Sequence, residues 1–136
     1  GVARSLGIEP RVAFVSFSNF GYPVSERATK MYRAADVLDR RRVDFEYEGE
    51  MTVDVALNPE QMKQYPFTRL SGPANILVVP ARHSASISVK LMQEMAGATV
   101  IGPILTGVKK PIQICSTTAT VNDIVNMAVM AACKIG

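Results

Sequence analysis

The sequence has no tryptophan, one histidine at position 83 and only two cysteines, Cys115 and Cys133, in 136 residues. One imidazole cannot build a multi-histidine metal centre within a single chain. The two thiols have no CxxC spacing and fall on apolar segments. They are expected to be reduced, buried core thiols of a cytoplasmic protein rather than a disulfide or a redox pair. Neither GxGxxG nor GxxxxGK followed by Ser or Thr occurs, which excludes the common dinucleotide and P-loop fingerprints. The longest apolar runs, 76–80 and 128–133, fall far short of the roughly 18 residues that span a bilayer. The opening GVARSLGIEP lacks the long apolar core of a secretory signal, so no membrane association is expected. Excess charge is small, with fifteen basic residues against twelve acidic ones. The charges are interspersed apart from Arg40-Arg41-Arg42. That permits an anionic small ligand and gives no reason to expect nucleic acid.

What is present is ordinary globular material, 48% apolar and 20% charged, of a length that makes about one domain. Residues 11–17 (RVAFVSF) read as a buried strand ending in the polar turn SNFGYP. A helix follows, capped by Ser25, with Ala28, Met31, Tyr32, Ala35 and Leu38 on one face and the arginine run at its C-terminus. A short strand over 45–47 is expected to break at Gly49-Glu50, and residues 51–57 have mixed periodicity. Asn58-Pro59 caps a short helix that ends before Pro66, and 70–73 is a loop. Residues 75–80 (NILVVP) read as a second buried strand. Residues 84–96 read as a helix with Ile87, Leu91, Met92 and Met95 on one face, stopped by Gly97. Two further strands are expected at 99–105 and 111–115. The last helix, over 120–135, is apolar nearly all round and so is expected to be buried on more than one side.

Apolar strands alternating with helices imply an α/β fold with a mainly parallel sheet and helices on both faces. In such sheets ligands bind beyond the carboxyl ends of the strands, which selects particular loops. After the first strand come Ser16, Ser18, Asn19 and Gly21. These suit a carboxylate, phosphate or amide ligand, or simply cap local backbone groups. After NILVVP come Arg82, His83, Ser84 and Ser86 at a helix start, a plausible anion site; a capping or interface role fits His83 equally well. After 111–115 come Ser116, Thr117 and Thr118, and then Thr120-x-x-Asp123, a capping box with Asp in the third position. No Ser/His/Asp triad, flanking carboxylate pair or activated cysteine with defined roles is evident.

The segments RVAFVSFSNFG, YEGEMTVDVALNPE, GPANILVVP, SASISVKLMQEMAGATVIGPILTGVKKPIQI and TVNDIVNMA, in this order from about residue 11 to 132, resemble the phosphate acetyltransferase/butyryltransferase family. The wording SFSNFG, DVALNPE, YPFTRLSGPAN, PARHSASIS and NDIVNMA looks most like the C-terminal domain of bacterial NADP-dependent malic enzymes of the large, multidomain type. The resemblance implies a three-layer α/β/α, phosphotransacetylase-like fold, similar to isocitrate and isopropylmalate dehydrogenases, and a homo-oligomer of at least two chains. It also implies that residues 1–136 are one lobe with a closing strand and helix, the other lobe lying before Gly1 in a longer polypeptide.

The departures from that family bear on function. Active transferases read Ser-Arg-Gly before the last helix, the arginine holding phosphate or transition-state charge. Here the stretch is Ser116-Thr117-Thr118, with the later aspartate kept as Asp123. Loss of such a group typically costs about 10²–10³-fold in rate. After NILVVP the family carries an acidic residue and a Gly-Asn pair, whereas this chain has Ala81 and Ala85-Ser86. The resemblance therefore implies a non-catalytic regulatory domain that senses acetyl-CoA, with no cofactor of its own. NADP, the divalent metal and the malate site would belong to the catalytic part of the same polypeptide. In that reading Ser16, Ser116 and Thr117 hydrogen-bond the pantetheine or thioester. Arg82 pairs with phosphate, and Asp123 is a cap and pocket wall rather than a base. Two alternatives stay open: a working phosphate acetyltransferase in which Arg82 or Lys109 replaces the arginine, and a structural dimerisation domain with a dead pocket.

Overall fold

The computed structural model describes residues 1–133. The chain divides into two compact units, Glu9–Ser88 and a second made of Gly1–Ile8 with Val89–Gly136. The first is built on a parallel sheet. Strand β1 (Arg11–Val15) lies in the middle, β2 (Glu46–Met51) on one side and β3 (Ile76–Val78) on the other.

Alternation along β1 builds a core on each face of the sheet. Val12 and Phe14 pack with Met31 and Ala35 of helix α2 (Glu26–Arg41), and Leu38, Ile76 and Val78 close over them. Ala13, Val15 and Met51 pack with Val55 and Ala56 of α3 (Val53–Leu57) and Met62 of α4 (Pro59–Met62). The result is a helix layer on either side of a parallel sheet, the expected α/β/α arrangement. Ser25 caps α2 with its side chain and Asn58 caps α4, as their sequence positions predict. Tyr32, expected on the buried face of α2, is exposed instead.

The second strand does not break at Gly49-Glu50. It runs through both residues to Met51 because glycine lets it approach its neighbour closely. Phe14 is opposite Gly49 and Val15 is opposite Met51, so Glu50 is an extra residue in the ladder, a bulge. A Cβ on Gly49 would lie 2.7 Å from both Cβ and the carbonyl oxygen of Phe14. The strand at NILVVP is narrower and less buried than expected. Only Ile76–Val78 pair, and Leu77 is exposed, as befits the outer strand of this sheet.

In the second unit lie α1 (Val2–Ser5), which the sequence pattern did not announce, and α6 (Val121–Ala132). Helix α5 (Arg82–Ala96) contains the division between the units and starts two residues earlier than expected. Gly97, with φ +62, ends it as predicted. Its apolar residues Ile87, Leu91, Met92 and Met95 are all exposed. The strands expected at 99–105 and 111–115 are not formed among the described residues. An extended segment becomes a strand only when a neighbour takes its N–H and C=O groups. Here Leu105 meets the side chain of Gln113 instead, N–H to Oε1 at 2.9 Å and Nε2 to O at 3.3 Å. Helix α6 buries only Met127 and Met130, leaving Ile124, Val125 and Val129 exposed rather than enclosed on several sides. The end of the helix expected at 134–135 lies outside the described residues. Both cysteines are exposed, not core thiols, because the segments that carry them are not covered.

Replacing Gly49 with alanine should cost about 2–4 kcal/mol of stability, from the clash with Phe14 and from a backbone conformation that disfavours a side chain. Urea unfolding followed by circular dichroism checks this, and an unchanged midpoint would contradict the close approach.

Candidate functional site at the carboxyl edge of the sheet

The carboxyl ends of parallel strands are where such folds place ligands. Beyond β1, the Ser16 N–H donates to the Met51 carbonyl at 2.9 Å, carrying the ladder one step further. The chain then turns tightly. Asn19 and Tyr22 exchange backbone hydrogen bonds at 2.9 and 3.0 Å, with Phe20 and Gly21 at positive φ. The Asn19 Oδ1 atom accepts from Thr52 N–H at 2.7 Å and from its hydroxyl at 3.2 Å, tying the turn to the residue after β2.

Beneath this turn sits Glu50, which sequence reasoning treated only as a strand breaker. Its Oε1 atom accepts from the Ser18 hydroxyl at 2.9 Å and from the Gly21 N–H at 2.8 Å. Its backbone carbonyl accepts from Phe20 N–H at 2.8 Å. Glu50 is 1% exposed, and its Oε2 atom has no hydrogen-bond partner among the described residues. The signal that could have found it is a carboxyl group set inside a stretch, EYEGEM, that ends in an apolar residue.

A second buried acid, Glu48, is fully provided for. Its Oε1 accepts from Gly49 N–H and Arg69 Nη2, and its Oε2 from Arg69 N–H and Nε. Arg69 also reaches Asp39 on α2 at 2.6 Å and lies over the Tyr47 ring. Hydrogen bonding to Glu48 raises the Arg69 pKa further above its already high ordinary value. The Tyr47 hydroxyl, and then Arg69, hold Asp39 below the ordinary aspartate value. This network fastens the 69–71 loop and α2 to β2. It is scaffolding for the site rather than part of it.

Arg82, His83, Ser84 and Ser86 are not loop residues. They form the first turns of α5, where Arg82, His83 and Ser86 are exposed and Ser84 is half-buried. In the second unit, Ser116 and Thr118 bond each other, hydroxyl to hydroxyl at 2.9 Å, and the Thr118 N–H donates to Ser116 Oγ at 3.2 Å. Thr117 between them is exposed. Thr120 and Asp123 make the predicted capping box. The Asp123 N–H donates to Thr120 Oγ1 at 3.2 Å, and the Thr120 N–H and hydroxyl each donate to Asp123 Oδ2 at 2.8 Å. Those two donors, the backbone one first, hold Asp123 below its ordinary value. Of the residues singled out from sequence, the structure thus gathers Ser18 and Gly21 around Glu50, Asn19 against Thr52, and Ser116 with Thr118. No cluster of three or more His, Cys, Asp or Glu placed to hold a metal ion occurs among the described residues.

Compared with known proteins, residues 1–132 match the phosphate acetyl/butaryl transferase family model. An NADP-dependent malic enzyme of Rhizobium meliloti is 57% identical over 136 residues, which is 100% of this chain and 18% of that protein. A phosphate acetyltransferase of Clostridium acetobutylicum is 37% identical over 92% of this chain and 38% of its own length. Among solved structures, a phosphotransacetylase from Streptococcus pyogenes superposes with a TM-score of 0.89 at 30% identity, covering 98% of this chain and 41% of the other. The chain therefore spans about a fifth of the malic enzymes it matches.

Thr120→Ala should destabilise the cap of α6 by about 1 kcal/mol. It should also move the Asp123 pKa part of the way back up, since the Thr120 N–H remains while the hydroxyl is lost. A carboxyl titration by NMR reads this directly. Asp39, Glu46 and Asp123 all titrate below their ordinary values. Their contribution to stability is complete above the unfolded carboxylate range and is lost as pH falls through their folded values. Stability measured against pH should therefore decline on acidification below about pH 4.

Proposed function

The chain belongs to the phosphate acetyl/butaryl transferase family, and from that premise we propose that it serves as a non-catalytic, acetyl-CoA-sensing and oligomerising domain of an NADP-dependent malic enzyme. The parent enzyme would convert malate to pyruvate by oxidative decarboxylation, with NADP and a divalent metal held by its catalytic part. The observation that carries this reading is the contrast in similarity. Identity reaches 57% over the whole chain with a malic enzyme but 37% with a phosphate acetyltransferase.

Local chemistry supports it. Ser116-Thr117-Thr118 offers hydroxyls where transfer chemistry calls for a cation, and the Ser116 hydroxyl is bonded to its neighbour Thr118. A cation can hold the charge that develops in acyl transfer; a hydroxyl does so far less well. Arg82, exposed at the start of α5, is the group assigned to ligand phosphate, with His83, Ser84 and Ser86 on the same helix start. The hydroxyls of Ser116 and Thr117 are assigned to the thioester. The exposed apolar residues of α5 supply a surface for a second copy of the chain. No helix of the described residues is long and apolar enough to cross a membrane, and a cytoplasmic setting is part of the proposal. Acetyl-CoA would act by binding two states of the oligomer unequally.

The 37% identity with a phosphate acetyltransferase favours one rival, a working transferase. The full-length enzyme separates the two. Acetyl-CoA should change the enzyme's apparent affinity for malate by about 5–150-fold, read from the malate dependence of NADP reduction. Mixing acetyl phosphate with coenzyme A should give turnover well under about 1 s⁻¹. Turnover in the ordinary enzyme range would establish the rival, and malic activity indifferent to acetyl-CoA would end the regulatory reading. Arg82→Ala should weaken acetyl-CoA binding by about 1 kcal/mol, a modest value for an exposed cation. Titration calorimetry measures it, and equal affinity would remove Arg82 from the site.

A further inference from the structure

Charge is not spread evenly over this chain. Helix α2 and its C-cap, from Glu26 to Arg42, carry six cations (Arg27, Lys30, Arg33, Arg40, Arg41 and Arg42) against three acids. The rest of the chain holds nine basic and nine acidic residues, so the whole net charge of +3 resides on this one helix. All six cations are exposed, and none makes an ion pair among the described residues. The acids of the helix do not neutralise them. Glu26 lies in the first turn, Asp36 is half-buried, and Asp39 is taken by Tyr47 and Arg69.

Helix physics accounts for part of this pattern. The dipole favours cations in the last turn, which suits Arg40 and Arg41. It disfavours Arg27 and Lys30 near the N-terminal end, and like charges three residues apart at Arg27, Lys30 and Arg33 repel one another. Lys30, Arg33, Val37 and Arg40 recur at three- and four-residue spacing and share the outer face. Arg27 and Arg41 extend the row to about 21 Å, at about 1.5 Å per residue.

We propose that this face of α2 is a docking surface for a carboxylate-bearing surface of the same polypeptide, in the part outside these 136 residues. Charge complementarity calls for an anionic partner. Five of the six cations are arginines, whereas lysines outnumber arginines in the rest of the chain. Arginine forks grip carboxylates in bidentate pairs, and protein interfaces are rich in arginine and poor in lysine. Val37, 42% exposed in the middle of the row, calls for carbon opposite it, which a protein surface offers and a phosphate backbone does not. A second copy of this chain has no excess negative charge to supply, because its remaining residues balance. The chain spans 18% of the malic enzyme it matches at 57% identity, which leaves ample polypeptide for the partner. The inference thus rests on the malic enzyme reading, but it concerns a different face and needs no acetyl-CoA.

The test uses the full-length enzyme. Phenylglyoxal labels accessible guanidinium groups, and a water-soluble carbodiimide joins an amine to a carboxylate only where the two touch. Mass spectrometry reads both. A face covered in about nine molecules of ten should label about tenfold more slowly at Arg33, Arg40 and Arg41 than in the urea-unfolded enzyme. Carbodiimide should join Lys30 to an aspartate or glutamate outside the 136 residues. Arg33→Glu combined with Arg40→Glu should abolish that cross-link and release Arg41 to labelling, whereas Arg33→Lys combined with Arg40→Lys should keep the cross-link. Labelling of the row at the unfolded rate overturns the proposal. So does a Lys30 cross-link confined to carboxylates of these 136 residues, the mark of self-contact or a second copy. Protection that disappears after nuclease treatment assigns the face to nucleic acid and overturns it too. Malic activity of the same samples is followed separately. Indifference to acetyl-CoA ends the regulatory reading and leaves the cross-link standing, and free labelling of α2 leaves an acetyl-CoA response standing.

Discussion

The carboxyl edge of the sheet depends on how closely β2 can approach β1 at one place, where Gly49 lies against Phe14. Any side chain at 49 would push the strands apart by its own bulk. Because they are not pushed apart, the ladder absorbs an extra residue, and that residue is Glu50. Its carboxyl group then organises the turn above it, taking the donors of Ser18 and Gly21, while Asn19 locks onto Thr52. A contact made by a hydrogen atom thus sets the geometry of a loop several residues away.

Around that edge the framework is held by an ion-pair network of a different character. Glu48 is buried but each of its oxygens meets two donors, and Arg69 carries the connection on to Asp39. Two acids two residues apart on one strand therefore have opposite parts. One binds the loop before β3 and helix α2 into the scaffold, and the other anchors the turn beyond β1. The scaffold is that of a transferase family.

Much of this was legible in the chain. The apolar alternation of β1 announced a sheet buried on both faces, and Ser25, Asn58, Gly97 and the Thr120–Asp123 pair announced their caps, because these signals are local. Less legible was anything that depends on a neighbour. The apolar runs at 99–105 and 111–115 have the composition of strands, yet pairing is a relation between segments and no pattern within one segment supplies it. Cys115 and the apolar residues of α5 and α6 read as core for the same reason: periodicity identifies a face, not what covers it. At the site, loop residues were found by their place after strands. Glu50 escaped notice because a glycine beside it reads as an interruption, whereas here it permits an approach.

The chain's seven methionines divide in an informative way. Met31, Met51, Met62, Met127 and Met130 are buried, while Met92 and Met95 stand on the open side of α5, the latter 81% exposed. Thioether oxidation follows access. The chain therefore carries its own chemical clock, with five slow buried positions as internal standards and two fast ones on the exposed face of α5. Anything that covered that face would shield both sulfurs, so their oxidation rate reports how open α5 is.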